Sequence, residues 1–217
     1  MTEATQVKRT CMRDRIRDEL ITRILDGSYP AGMQLKELTL AREFNVSQAP
    51  IREALRELEG TGLVTSERYR GTRVRGADAL EMRESYELRA MIEARSVERA
   101  APLSTAVLDR LSACVQGMTA AAHGGHNEAY IDHALRFHRA LVEAGGNGTF
   151  LGVWDSLRWE VRGRIALRHM IRQIEGLEPM LALHGELVQR LRANDVRGAT
   201  HLVYDILERV AAAFNSR

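Results

Sequence analysis

Ile51, Ala54, Leu55 and Leu58 recur at i, i+3, i+4 and i+7, an apolar stripe of helical period inside VSQAPIREALRELEGTGL, residues 46–63. The other side of that helix carries Gln48, Ala49, Arg52 and Arg56. Ser47 stands where an N-cap belongs. Pro50 falls in the opening turn, where its missing N–H costs no hydrogen bond, and Gly60 and Gly62 mark the stop. Upstream, Leu40, Ala41 and Phe44 share one side of a short helix over residues 36–44, and Asn45-Val46-Ser47 makes a three-residue turn. Ile16, Leu20, Ile24 and Leu25 predict a first helix over 10–26, ended by Gly27. Downstream, Leu63-Val64-Thr65 and Thr72-Arg73-Val74 are β-prone runs flanking Arg68-Tyr69-Arg70-Gly71, the pattern of a hairpin.

From residue 79 onward the pattern is helical, with no strand. It predicts six helices, at 79–101, 104–123, 127–144, 148–174, 177–193 and 196–215. Pro102, Gly124-Gly125, Gly145-Gly146, Gly176 and Asn194-Asp195 separate them. Six helices in about 140 residues suffice for one domain with one core. Gly76-Ala77-Asp78 is the evident hinge. The chain therefore divides into a disordered tail, 1–9, a first domain, 10–76, a linker, 77–78, and a helical bundle, 79–217.

Composition narrows the class. The 217 residues are 45% hydrophobic and 28% charged, a soluble globular balance. No run approaches the roughly eighteen apolar residues of a membrane helix. The opening MTEATQVKRT lacks the apolar core of a signal peptide, so a cytoplasmic protein with no membrane contact is expected. Cys11 and Cys114 stand far apart without metal-type spacing, and reduced thiols are expected. The net charge of +2 conceals a mild asymmetry: residues 1–76 hold 14 Lys and Arg against 11 acids, and residues 77–217 hold 17 against 18. Four of the arginines lie between Val64 and Gly76, against one acid, Glu67. The glycine pairs are not phosphate loops, because no strand precedes them and no Lys-Ser/Thr follows.

The first domain thus reads as a helix-turn-helix with a basic wing. Arg and Gln read guanine and adenine edges through paired hydrogen bonds, and a small Ala fits beside a thymine methyl. A solvated amphipathic helix has the same pattern, and the turn, the preceding helix and the wing distinguish the two. Expected DNA contacts are Lys36, Arg42, Ser47, Gln48, Ala49, Arg52 and Arg56, with Arg68, Arg70 and Arg73 of the wing on phosphates or in a minor groove. Arg13, Arg17 and Arg23 of the first helix read as mostly solvated surface. The ordered run Gly27-Ser28-Tyr29-Pro30-Ala31-Gly32-Met33-Gln34-Leu35, Leu40-Ala41, Val46-Ser47, Pro50-Ile51-Arg52-Glu53-Ala54-Leu55, Leu58, Gly62-Leu63-Val64 and Gly71 resembles the GntR winged-helix signature over residues 10–76. That resemblance implies a bacterial transcription regulator, ordinarily a ligand-responsive homodimer on a palindromic operator in double-stranded DNA. In relatives a basic residue commonly precedes the Leu-Ala pair of the second helix, where this chain has Leu38-Thr39; Lys36 and Arg42 are the substitutes.

The second domain carries its own resemblance. Leu88-Arg89 with Ile92-Glu93, Phe137-His138-Arg139-Ala140-Leu141 followed by Gly146-Asn147, and His184 with Asn194-Asp195 and Ala199 are similar to the FCD effector domain of the FadR branch. Six helices place it nearer the VanR-type subgroup. Many such domains hold a divalent metal through one aspartate and three histidines, and the metal helps bind a carboxylate effector. In this chain the aspartate position is Ala134, four residues before His138. The second histidine is His184, and the third position is Ile206. Two imidazoles without a carboxylate make a poor site, since a bound ion takes three or four protein ligands. No tightly bound metal or other cofactor is expected, at most a divalent ion at low occupancy. Asp132, His133 and His201 lie on other helix faces, and a rearranged site through His133 or His201 is the alternative.

What remains is a pocket of Arg89, Ala134, His138, His184 and Ile206 for a small-molecule effector, an organic acid or a more apolar compound. Arg89 shares a face with Met82, Tyr86 and Ile92; either it bridges to Glu93 or Asp155, or it anchors an effector anion. The resulting expectation is a mainly α protein, an N-terminal winged helix-turn-helix with a C-terminal antiparallel FCD-like bundle, acting as a transcription repressor released by its effector. The rivals are a helical enzyme using His138 and His184, which lacks a nucleophile, oxyanion loop or paired carboxylate, and a dimeric small-molecule sensor without DNA binding.

Overall fold

The computed structural model describes residues 12–25, 27–60, 62–67, 71–75, 79–157 and 159–214. The expected tail 1–9, the linker 77–78, Arg68, Arg70 and Cys11 lie outside them, as does the side chain of Leu25. The chain forms two compact units that divide between residues 77 and 78.

The first unit contains α1 (Met12–Leu25), β1 (Gln34–Leu35), α2 (Glu37–Glu43), α3 (Gln48–Gly60), β2 (Val64–Glu67) and β3 (Gly71–Val74). The stripe Ile51, Ala54, Leu55 and Leu58 is fully buried, against Ile16 and Leu20 of α1 and Leu40 and Ala41 of α2. The turn between α2 and α3 is a Schellman motif. Asn45 takes a left-handed φ of 52°, the Asn45 N–H donates to the Arg42 carbonyl, and the Val46 N–H donates to that of Ala41. Asparagine tolerates that conformation better than most residues, so the α3 entry angle is set locally.

The wing is the predicted hairpin, with β2 and β3 antiparallel in the register Val64↔Val74 to Glu67↔Gly71. It gains an unexpected third strand. β1 pairs with β3 on its free side, giving the order β1-β3-β2. Arg13 and Arg17 are not simply solvated, because both bridge to Glu57 of α3 at 3.0 Å. Arg23 is likewise held, by Glu19, Glu43 and the Tyr29 hydroxyl.

Among the described residues the second unit has seven helices, not six: α4 (Ala79–Ala100), α5 (Thr105–His123), α6 (Asn127–Ala144), α7 (Gly148–Ser156), α8 (Trp159–Ile171), α9 (Glu178–Arg192) and α10 (Val196–Ala212). The single helix expected over 148–174 is interrupted after Ser156, which removes the ground for the six-helix subgroup. Trp154 and Trp159 supply the reason. Five residues apart, they would point about 140° from each other on a continuous helix, yet both are buried with ring centroids 6.5 Å apart. The break brings both indoles into the core.

Short turns make hairpins of α5 with α6 and of α9 with α10, and α4 packs on both α6 and α10. The core runs through Tyr86, Met118, Tyr130, Phe137, Trp159, Leu187 and Val203. At Gly145 the backbones of two segments come close enough that an added Cβ would stand 2.8 Å from the Ser96 Cα in α4.

Gly145→Ala is expected to lower the stability of this unit by about 1–3 kcal/mol, because the nearest obstacle is backbone. Gly152→Ala, in α7 with nothing within 4 Å, should raise it by up to about 1 kcal/mol. Both tryptophans of the chain lie in this unit. Urea unfolding followed by tryptophan fluorescence therefore separates the two variants, and equal midpoints would contradict the packing described.

Candidate nucleic-acid interface and effector site

The buried stripe of α3 fixes which side chains face outward. Gln48, Ala49, Arg52 and Arg56 are all exposed on that helix, with Ser47 exposed just before it. Lys36 is exposed at the N-cap position of α2, and Arg42 is exposed in its last turn. Arg73, exposed on β3, donates from Nη1 to the Gly32 carbonyl at 3.2 Å. The predicted α3 face is therefore assembled on one surface of one unit. Arg52 carries a contact that sequence reasoning missed: its Nε and Nη2 pair with the carboxylate of Glu37, the first residue of α2, and Nη2 approaches Oε2 to 2.7 Å.

In the second unit the predicted effector residues, Arg89, Ala134, His138, His184 and Ile206, are all buried. Three of them join a continuous polar chain. Arg89 donates from Nε to Glu93 Oε1 at 2.6 Å, one turn along α4. The other Glu93 oxygen receives His138 Nδ1 at 2.6 Å. His138 Nε2 faces His184 Nε2 at 3.4 Å, and His184 Nδ1 donates to the Met180 carbonyl at 2.7 Å. Of the two partners considered for Arg89, Glu93 takes it, while Asp155 pairs with Arg139. The Arg89 guanidinium carbon lies 5.0 to 5.9 Å from the ring centroids of Tyr86, Trp159 and Trp154, an aromatic enclosure of cation–π type.

Glu93 is the member that sequence reasoning undervalued. Its i,i+4 spacing from Arg89 was visible, but its reach to His138 depends on how α4 and α6 pack. Burial alone would raise the Glu93 carboxyl, and its two cationic-type neighbours reverse that, so it is held below the ordinary carboxylate range. Both imidazoles move down, chiefly because burial penalises their charged forms, and His184 falls to about 3. They are neutral at pH 7, and Arg89 is then the permanent cation beside Glu93.

The metal implied by the FCD resemblance does not fit this donor set. Two imidazole nitrogens on one tetrahedral ion would stand roughly 3.4 Å apart, and His138 and His184 retain that spacing. The other two positions, Ala134 and Ile206, offer no donor. Glu93 is engaged with Arg89 and the far nitrogen of His138. The alternative ligands do not converge either. His133 packs over Gly117 of α5, Asp132 pairs with Arg164, and His201 is exposed. Among the described residues no three His, Cys, Asp or Glu side chains stand together as a metal site.

Among the described residues, several buried polar atoms of this unit have no partner. They include the indole N–H groups of Trp154 and Trp159 and the Tyr130 hydroxyl. Among the described residues, no helix is long and apolar enough to cross a membrane.

Comparison with known proteins matches both units. Residues 12–74 match the bacterial regulatory proteins of the gntR family, and residues 84–209 match the FCD domain. A protein of Paenarthrobacter nicotinovorans named "Probable D-xylose utilization operon transcriptional repressor" is 29% identical over 196 residues, covering 90% of this chain and 85% of its own. The gluconate operon transcriptional repressor of Bacillus subtilis (strain 168) is 26% identical over 185 residues, covering 83% and 76%. Among solved structures, a GntR transcriptional regulator from Rhodococcus sp. RHA1 superposes with a TM-score of 0.77 at 24% identity, over 94% of this chain and 97% of that one. E. coli McbR/YncC does so with a TM-score of 0.71 at 21% identity, over 94% and 97%. The helix-turn-helix unit and the helical unit together place this chain in the GntR family of bacterial transcription regulators, with an FCD domain as its second half.

Proposed function

We propose that this regulator represses transcription as a homodimer on a palindromic operator and is released when a small polar effector enters the Arg89–His184 region without a metal. The observation that carries the DNA half is the exposed α3 face, on which Gln48, Ala49, Arg52 and Arg56 are presented by a buried stripe and a locally determined turn. Two such helices on one dimer can occupy successive major grooves about one helical turn apart. The dimer reading is supported by α4, where Leu80, Leu88 and Met91 are exposed within about 80° of one another around the helix.

The effector half rests on partners left over. Both Nδ1 atoms face acceptors, so in the neutral imidazoles both Nε2 atoms carry lone pairs turned towards each other. The indole N–H groups of Trp154 and Trp159, whose rings surround Arg89, lack an acceptor. A hydroxyl group satisfies both kinds of need. Glu93 already balances the Arg89 charge, which favours an uncharged hydroxyl-bearing compound over a free organic anion. The relative named for a D-xylose utilization operon is compatible with that class. An effector that binds the operator-free form better lowers operator affinity by the same coupling free energy.

Arg52→Ala should remain folded and dimeric while losing roughly 1–3 kcal/mol on a duplex that the wild type selects from a random library, compared at fixed salt. Unchanged affinity rejects the assigned face. Protein purified without added metal is expected to contain well under one equivalent of zinc, nickel or manganese by elemental analysis; near-stoichiometric metal contradicts the metal-free reading.

The histidines also predict a pH response. Folding lowers both values from an ordinary 6.5, so the unfolded chain takes up protons that the folded unit refuses. Their contribution is full above about pH 6.5 and declines as pH falls towards 3. Tryptophan-monitored urea midpoints should drop between pH 7.5 and 5, and His184→Gln should flatten that drop. An unchanged slope in the variant would remove His184 as its source.

A further inference from the structure

We infer that Glu37 is a specificity-determining positioning residue, holding Arg52 so that one edge of its guanidinium is ready for a guanine. The inference rests on the DNA-reading role proposed for the α3 face, and adds a residue from α2 that makes no base contact itself.

A guanidinium has two edges able to form paired hydrogen bonds, one from Nε and Nη2 and one from Nη1 and Nη2. Glu37 occupies the first. Nε lies 3.0 and 3.2 Å from the two carboxylate oxygens, and Nη2 lies 2.7 Å from Oε2. Among the described residues Arg52 has no other hydrogen-bond partner, so the second edge is open. That edge matches the O6 and N7 acceptors of guanine.

The energetics argue that the pair is not there for stability. The side chains are 52% and 33% exposed, and such ion pairs contribute little to folding. The geometry is nevertheless tight, and it joins two helices whose relation is set by the Asn45 turn. Glu37 opens α2, where the positive end of the helix dipole favours a carboxylate. Its hydrogen bond from Arg52 also holds the acid below its ordinary range, so it stays ionised. A long arginine held this way loses less freedom on meeting a base than one that swings in water.

A simpler role for Glu37 makes the opposite prediction. If it merely neutralises Arg52, removing its charge tightens binding to every sequence and steepens the salt dependence. The test is selection from a randomised duplex library with the full chain, comparing wild type, Arg52→Ala, Glu37→Gln, Glu37→Asp and the double variant. Circular dichroism confirms that each is folded.

Wild type should select a guanine at one position of each half-site, and Arg52→Ala should lose that preference alone. Glu37→Gln should weaken the same preference roughly three- to tenfold, a part of what a good paired base contact supplies. Glu37→Asp, with the charge withdrawn by one methylene, should fall between. The double variant should add nothing at that position beyond Arg52→Ala.

Preference unchanged in both Glu37 variants overturns the inference, and so does uniformly tighter binding to all duplexes. If Arg52→Ala itself changes no base preference, the role assigned to Arg52 fails first and the positioning role falls with it.

Discussion

The buried pair of Arg89 and Glu93 is the constraint on which the second unit depends. Both side chains are almost completely removed from water, at 2% and 0% exposure. Desolvating two charges costs several kcal/mol per ion, and only close geometry with every remaining hydrogen-bonding position filled offsets that. The unit meets the condition in part, with partners drawn from several helices, and leaves the facing Nε2 lone pairs of His138 and His184 unfilled. The α4 helix contributes the pair, α6 sends His138 to the second carboxylate oxygen, and α9 continues the chain through His184 to a backbone carbonyl. Losing one member would leave a charge buried without its partner, at a cost of about 3–5 kcal/mol. A well-packed apolar replacement of the whole set would cost far less. Stability alone therefore does not account for a polar chain at this place.

Packing around the pair is correspondingly exact in shape. Gly163 of α8 stands where an added Cβ would come within 2.5 Å of Leu135 and 3.8 Å of the Arg89 guanidinium. Trp154 and Trp159 reach the same guanidinium because the chain breaks between α7 and α8. The interruption of the helix and the aromatic enclosure are one event. It is driven by burial of two large side chains spaced wrongly for a single helix.

These particulars show where reading the residues in order succeeds. The α3 stripe, the turn after α2 and the wing are local patterns of period 3.6 and 2, and each appears in the structure where the pattern puts it. Strand β1 is only Gln34–Leu35, too short to show a period, and exists because β3 offers a free edge. The break after Ser156 carries no glycine or proline to announce it. Positions matched by resemblance, His138 and His184, do lie together, yet the sequence shows the carboxylate beside them only as a salt-bridge partner for Arg89. Contacts between helices distant in sequence, such as Glu93 with His138, are set by tertiary packing, which no local period records.

Two of the chain's Arg–Glu ion pairs stand in opposite surroundings. In the core, Arg89 and Glu93 have no water to return to, so their exchange for any other partner is expensive and their geometry is fixed. On the surface, Arg52 and Glu37 are half in water, and breaking or sharing their bond changes the free energy little. A buried pair can therefore define an interior, while an exposed one can orient a side chain and still let it meet a new acceptor. That difference in dielectric surroundings, with chemistry held constant, is what allows one arginine to serve as scaffold and leaves another able to meet a new acceptor.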